Sequence, residues 1–134
     1  MELKIFTDGG SLNNPGQAAI AYIVSLNNKI IQKFSKRIGV NSNNFAEYSA
    51  LYEALNWVKN NIAGPILKIT CFSDSSLLVN QLNGIYRVKN AAIRDFIMKI
   101  RVLEQEIQTP IIYTYIPREQ NQLADSLVKK KLRS

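Results

Sequence analysis

Leu3-Lys4-Ile5-Phe6-Thr7-Asp8-Gly9-Gly10 and Ile66-Leu67-Lys68-Ile69-Thr70-Cys71-Phe72-Ser73-Asp74 are the two stretches on which the fold turns. Each is a short apolar run that ends on an aspartate followed by small, turn-prone residues, the pattern of a strand and its stop. Residues 45–61 switch to helical periodicity, with Leu51, Ala54, Leu55 and Val58 on one stripe, and Gly64-Pro65 closes that segment. A helical crossover between the first and fourth strands favours parallel pairing with a right-handed connection. Neighbouring ends of a parallel pair place Asp8 and Asp74 at one edge of the sheet. By parity Phe6 shares the face of Asp8, as Phe72 shares that of Asp74.

The rest of the chain completes the pattern. The first strand is expected over residues 3–7, ending at Asp8-Gly9-Gly10 as a turn. After the Asn13-Asn14-Pro15-Gly16 turn, residues 18–26 and 29–38 form two strands joined by Asn27-Asn28, giving an antiparallel meander. Residues 41–44 break the pattern and offer helix caps. Asp74-Ser75-Ser76 caps a short helix through Leu82, and Asn83-Gly84 closes it. Residues 91–107 read as a longer helix with Ile93, Phe96, Ile97, Ile100, Leu103 and Ile107 at helical spacing. Pro110 precedes a strand at 111–115, and a helix over 120–132 ends the chain. The order β-β-β-α-β-α-α-β-α predicts an α/β fold, one domain over residues 1–134. Its mixed five-stranded sheet has three antiparallel and two parallel strands, flanked by helices.

Composition narrows the chemistry. With no histidine and one cysteine among 134 residues, the chain cannot build a Ser-His-Asp or Cys-His system. Histidine-ligated and multi-cysteine zinc sites are excluded as well. The lone Cys71 lies in an apolar stretch and reads as core. A net charge of +7 favours polyanions, although solubility alone also accounts for it. Lys129, Lys130, Lys131 and Arg133 crowd one end; Arg87, Lys89, Arg94, Lys99 and Arg101 populate another segment. Each cluster equally reads as a solvated helix face. No apolar run reaches the roughly 20 residues that span a bilayer, and the first residues carry no signal pattern. The expectation is a cytoplasmic monomer with no membrane partner.

Four of the ten acids sit in unusual places. Asp8 and Asp74 end strands. Glu47, in the first turn of its helix, is in phase with Leu51, Ala54 and Val58, which points it inward. Asp125 is followed by Val128 and Leu132 at i+3 and i+7, again an inward face. Singly, each has an ordinary reading: a turn residue, an N-cap, an acid complementing the helix dipole, a rim acid. Together they make a cation site, because Mg²⁺ takes oxygen ligands from a few carboxylates plus substrate phosphate. Two cations about 4 Å apart serve an in-line phosphodiester displacement without histidine. The other six acids, Glu2, Glu53, Asp95, Glu104, Glu106 and Glu119, read as surface charges.

These residues carry a resemblance. Thr7-Asp8-Gly9-Gly10-Ser11 with Asn14-Pro15-Gly16 resembles the opening motif of type 1 ribonuclease H. Asn43-Asn44-Phe45-Ala46-Glu47 resembles its second motif, Ser73-Asp74-Ser75 its third, and Asn121-Gln122-Leu123-Ala124-Asp125 its fourth. The resemblance covers nearly the whole chain, in order. It implies hydrolysis of the RNA strand of RNA–DNA hybrids, leaving 5′-phosphate and 3′-hydroxyl ends. Asp8, Glu47, Asp74 and Asp125 would hold two Mg²⁺ ions, with Mn²⁺ as a substitute. It further implies RNA contacts by Asn14, Asn43 and the backbone of Gly9 and Gly10 near the 2′-hydroxyl, a group that suits an amide. Ser42, Asn44 and Asn90 would lie toward the DNA strand.

Three departures from the family pattern stand out. Arg118 occupies the loop where many members carry histidine; it cannot act as a base, so its role would be phosphate contact or turnover. The basic helical protrusion of many members is missing between Gly84 and Asn90. Ser76 stands where members often have the longer Gln as an RNA contact. Cleavage of double-stranded RNA is a close variant of the leading reading. A non-catalytic hybrid-binding module is a second, disfavoured because all four acids are present. A nuclease for another phosphodiester is a third. Trp57, Tyr48 and Tyr52 on the first helix read as partial core, with stacking on nucleic-acid bases as the alternative for Trp57.

Overall fold

A run of β-branched, aromatic and alanine residues makes the first third of the chain a meander. In the computed structural model, which describes residues 1–134, β1 (Glu2–Ser11), β2 (Gly16–Leu26) and β3 (Lys29–Asn41) pair antiparallel. The β2–β3 hairpin turns on Asn27 and Asn28, both at positive φ (50° and 67°), a conformation asparagine tolerates better than most side chains. The chain then crosses through α1 (Asn43–Asn61) to β4 (Lys68–Ser73), parallel to β1. Helices α2 (Ser76–Leu82) and α3 (Ala91–Ile107) lead to β5 (Ile111–Tyr115), parallel to β4. A 3₁₀ turn (Arg118–Gln120) and α4 (Gln122–Arg133) close the chain. The sheet order is β3-β2-β1-β4-β5, the mixed sheet expected from the sequence.

The sheet is covered on both sides, and β2 shows it by being buried on both faces. Leu3, Ile5, Ile69, Cys71 and Tyr113 face α1 and α3, which bring Leu51, Leu55, Val58, Ile100 and Leu103 into one core. On the other face, the small side chains of Ala19 and Ala21 leave room for Val128 of α4. Phe6 and Phe72 are register partners and stack with ring centroids 4.9 Å apart, as their parity required. Trp57 is partly buried against the core, and Tyr48 is fully buried. No helix is long and apolar enough to cross a membrane.

Three features differ from the sequence reading, each for a physical reason. β1 does not stop at Thr7: it continues through Asp8-Gly9-Gly10 to Ser11, with Gly9 opposite Ile20 and Gly10 opposite Ala19. Gly9 is there for close approach, not for a turn. A Cβ on it would lie 2.4 Å from the Ala46 carbonyl carbon and 2.6 Å from the Glu47 nitrogen. Helix α1 begins earlier than expected because Ser42 Oγ accepts from the Phe45 N–H, which places Glu47 in the second turn, not the first. Glu104 is no plain surface charge: it accepts from Tyr113 Oη at 2.6 Å and pairs with Arg101 at 2.9 Å.

Candidate active site

The close contact at Gly9 builds the site. It lets the end of β1 abut the first turns of α1, so Glu47 reaches the strand end, where its Oε1 accepts from Gly9 N–H at 3.1 Å. Ser73 Oγ, on the last residue of β4, donates to Glu47 Oε2 at 3.4 Å and accepts from Ser75 N–H at 3.0 Å. Asp74 follows directly. Asp8, Glu47 and Asp74 thereby each offer a carboxylate oxygen within 4.8 Å of the others. Asp8 and Glu47 are buried, at 6% and 7% exposure. This edge is the carboxyl end of two parallel strands, where ligands of open α/β sheets bind.

Asp125 stands apart from that trio. It lies in the first turn of α4, at the rim of the same cavity, and Lys129 one turn later pairs with it at 3.0 Å. Its inward phase with Val128 is real, but the side chain keeps 20% exposure.

The electrostatics of the trio are unfavourable without a cation. Burial, reinforced by the charge of Asp74, pushes Asp8 up to about 7 from an ordinary 3.8. Burial and the neighbouring Asp8 and Asp74 also raise Glu47 well above the usual carboxylate range, and the Gly9 N–H offsets only part of this. Basic residues outnumber acids 17 to 10, so cations are plentiful. Glu2, Glu53, Asp95, Glu104, Glu106 and Asp125 all have an ion-pair partner, yet none of the three clustered acids has one. An oxygen-only donor set, tightly grouped and without a basic side chain, fits a hard divalent cation.

The trio opens into a cavity of about 600 Å³. Gly9, Gly10, Asn14, Asn43, Asn44 and Arg118 line it, as does Lys129. Asn43 is fixed from two sides: its Oδ1 accepts from Ser11 N–H at 2.8 Å, and its own N–H donates to Asn14 Oδ1 at 2.9 Å. Three expected contacts are not among the lining residues. Ser42 caps α1, Asn90 caps α3 by accepting from Ile93 N–H at 3.1 Å, and Ser76 is the exposed first residue of α2.

With this geometry established, likeness to known proteins is informative. A family model described as reverse transcriptase-like matches residues 6–131. The chain belongs to that family. It is 32% identical over 131 residues to ribonuclease HI of Halobacterium salinarum, covering 95% of this chain and 62% of that protein. It is 35% identical over 98 residues to YpeP of Bacillus subtilis, covering 73% of this chain and 43% of that protein. Among solved structures, LC11-RNase H1 in complex with an RNA/DNA hybrid superposes with a TM-score of 0.91 at 31% identity, covering 98% of this chain and 96% of that one. The fold is therefore that of type 1 ribonuclease H. The chain spans between a third and a half of the length of the first curated relatives it matches.

This reverse transcriptase-like chain also uses residues the sequence reading did not assign. Ser73 and Asn121 hold the acids, and Lys129 holds Asp125. Lys129 carried a weak signal, an i,i+4 acid–base spacing from Asp125. Ser73 and Asn121 stood within the third and fourth motifs of the resemblance, Ser73 beside Asp74 and Asn121 four residues before Asp125, but no role was assigned to either.

Proposed function

We propose that residues 1–134 form one catalytic domain that hydrolyses the RNA strand of RNA–DNA hybrids endonucleolytically, leaving 5′-phosphate and 3′-hydroxyl ends. The observation that carries the reading is the carboxylate trio, within 4.8 Å and without a basic partner, at the floor of a 600 Å³ cavity. Asp8, Glu47 and Asp74, with Asp125 from the rim, would hold two Mg²⁺ ions. Bound there, divalent ions supply Lewis acidity to the scissile phosphate and lower the pKa of an attacking water.

The chain's own residues bind and orient. Asn14 and Asn43, braced against each other and Ser11, present amide groups where an RNA 2′-hydroxyl can donate or accept. Gly9 and Gly10 line the same wall of the cavity with backbone alone. Arg118, on the 3₁₀ turn and lining the cavity, would meet a phosphate as a fixed charge and not as a base. The RNA/DNA hybrid with which LC11-RNase H1 forms its complex supports this substrate class.

The test is cleavage of labelled RNA–DNA hybrid, double-stranded RNA and single-stranded RNA, each with Mg²⁺ and with EDTA. Metal-dependent cutting of the hybrid is expected, and the double-stranded RNA lane reports how strictly hybrid geometry is read. Hybrid binding without cutting of any substrate overturns the enzyme reading in favour of a binding module.

A further inference from the structure

One side chain beside the site is more deeply buried than any of the acids and has forgone its ordinary local role. Asn121, 2% exposed, occupies the N-cap of α4. Asparagine at that position normally accepts from an N–H of the first helical turn, but here the side chain makes no capping bond. Its Nδ2 instead donates to the Thr7 carbonyl at 2.9 Å and to Asp74 Oδ2 at 3.4 Å. Both neighbours are acceptors, so the amide nitrogen has to face them. The consequence is that Oδ1 points where it has no partner, an unfavourable outcome for a buried acceptor.

The backbone of the same residue extends the tie. Its carbonyl accepts from Asp125 N–H at 3.0 Å, and its N–H donates to the Arg118 carbonyl at 2.9 Å. Asn121 thus touches the residue before Asp8, touches Asp74 itself, and holds the backbone of Asp125. The β1–β4 ladder ends at Thr7 and Ser73, so Asp74 lies beyond its last register pair. An amide bridging Thr7 and Asp74 continues that ladder by one side-chain step.

We propose that Asn121 is the positioning residue of the acid site, setting the spacing between the ends of β1 and β4 and so the affinity for divalent cations. The inference rests on the metal-site reading above. Asn121 is not a ligand here; it acts through Asp74 and the Thr7 backbone. Partners of metal ligands typically change metal affinity by roughly 10–100-fold when removed.

The experiment measures Mn²⁺ binding by the free-ion electron paramagnetic resonance signal. Its subjects are the wild-type chain, Asn121→Leu, Asn121→Ser and Leu103→Ala. Asn121→Leu keeps the volume, while Asn121→Ser supplies a good helix cap and keeps α4 anchored if the leucine variant does not fold. Leu103→Ala is a destabilised control in the core away from the cavity. Both Asn121 variants are expected to raise the Mn²⁺ Kd about tenfold, with kcat recovering as Mn²⁺ is raised and hybrid KM within about twofold of wild type. Leu103→Ala should lower Tm with an unchanged Kd. Wild-type Mn²⁺ affinity in a folded Asn121 variant overturns the assignment, whatever its Tm. No Mn²⁺ binding by the wild-type chain overturns the metal-site reading beneath it.

Discussion

Two places in this molecule draw carboxylates out of water, and they treat them oppositely. On α3, Glu104 has partners within the chain: Tyr113 Oη donates at 2.6 Å, Arg101 pairs at 2.9 Å, and Arg101 also donates to the Leu82 carbonyl at 2.6 Å. At the carboxyl ends of β1 and β4, Asp8, Glu47 and Asp74 have backbone, hydroxyl and amide donors but no cation. The same chain, with an excess of lysine and arginine, closes one network and leaves the other open. A closed network holds elements together. An open one leaves its carboxylate oxygens without a cation of the chain's own.

The largest effect that separates the two regions is on catalysis. Asp8→Asn or Asp74→Asn should lower hybrid cleavage by more than about a hundredfold, because even outer partners of metal ligands account for roughly 10–100-fold. Tm of the metal-free protein should not fall, since each change removes a repulsive charge. A metal-free Tm that dropped together with activity would place these acids in the same structural class as Glu104.

Gly9→Ala tests the contact that makes the open site. The new Cβ would meet backbone of α1 that cannot swing aside, so we expect a loss of about 3 kcal/mol or more in urea unfolding. Gly10→Ala, with 3.8 Å to its nearest neighbour, should be nearly neutral in stability. On the closed side, Glu104→Gln should cost about 1–2 kcal/mol by weakening its charge-assisted bonds, and leave the response to Mg²⁺ unchanged.

The two regions also differ in pH dependence. Asp8 titrates near 7 in the folded chain against an ordinary 3.8, so the folded form binds the proton more tightly. Its stabilising contribution is present below about pH 4 and is lost as pH rises through 7. Metal-free Tm should therefore decline between about pH 4 and pH 7, and Asp8→Asn should flatten that decline. The smallest effect is expected from Arg118→Ala. An exposed rim charge is worth about 0–1 kcal/mol, so turnover should slow by no more than about fivefold, with Mn²⁺ affinity unchanged.

How much of this was readable from the sequence depended on whether a residue's periodicity or its neighbours decided its place. Glu47 was legible because an inward helical phase is a property of its own segment. Asp8 and Asp74 were legible because parity and parallel pairing fix their face and edge, although β1 itself runs on past Asp8 beside β2; the Phe6–Phe72 stack bears the pairing out. Gly9 was misread as a turn, since a glycine needed for close approach looks no different until the partner backbone is known. Glu104 was illegible for a related reason, and Asn121, although it opens the fourth motif, showed nothing of its role. A carboxylate on a long helix and an asparagine before one are ordinary, and only tertiary neighbours reveal that one is matched and the other turned away from its cap. Asp125 was half legible: its phase pointed inward, but Lys129 holds it at the rim.

The most direct test of the central claim is the Tm of the wild-type chain and of Asp8→Asn at about pH 8, each with Mg²⁺ and with EDTA. An open acid site predicts that Mg²⁺ raises the wild-type Tm and leaves that of Asp8→Asn unchanged, because a ligand that binds only the folded form stabilises it. Equal Tm with and without Mg²⁺ in the wild-type chain would contradict the claim that these three carboxylates are kept free for a divalent ion.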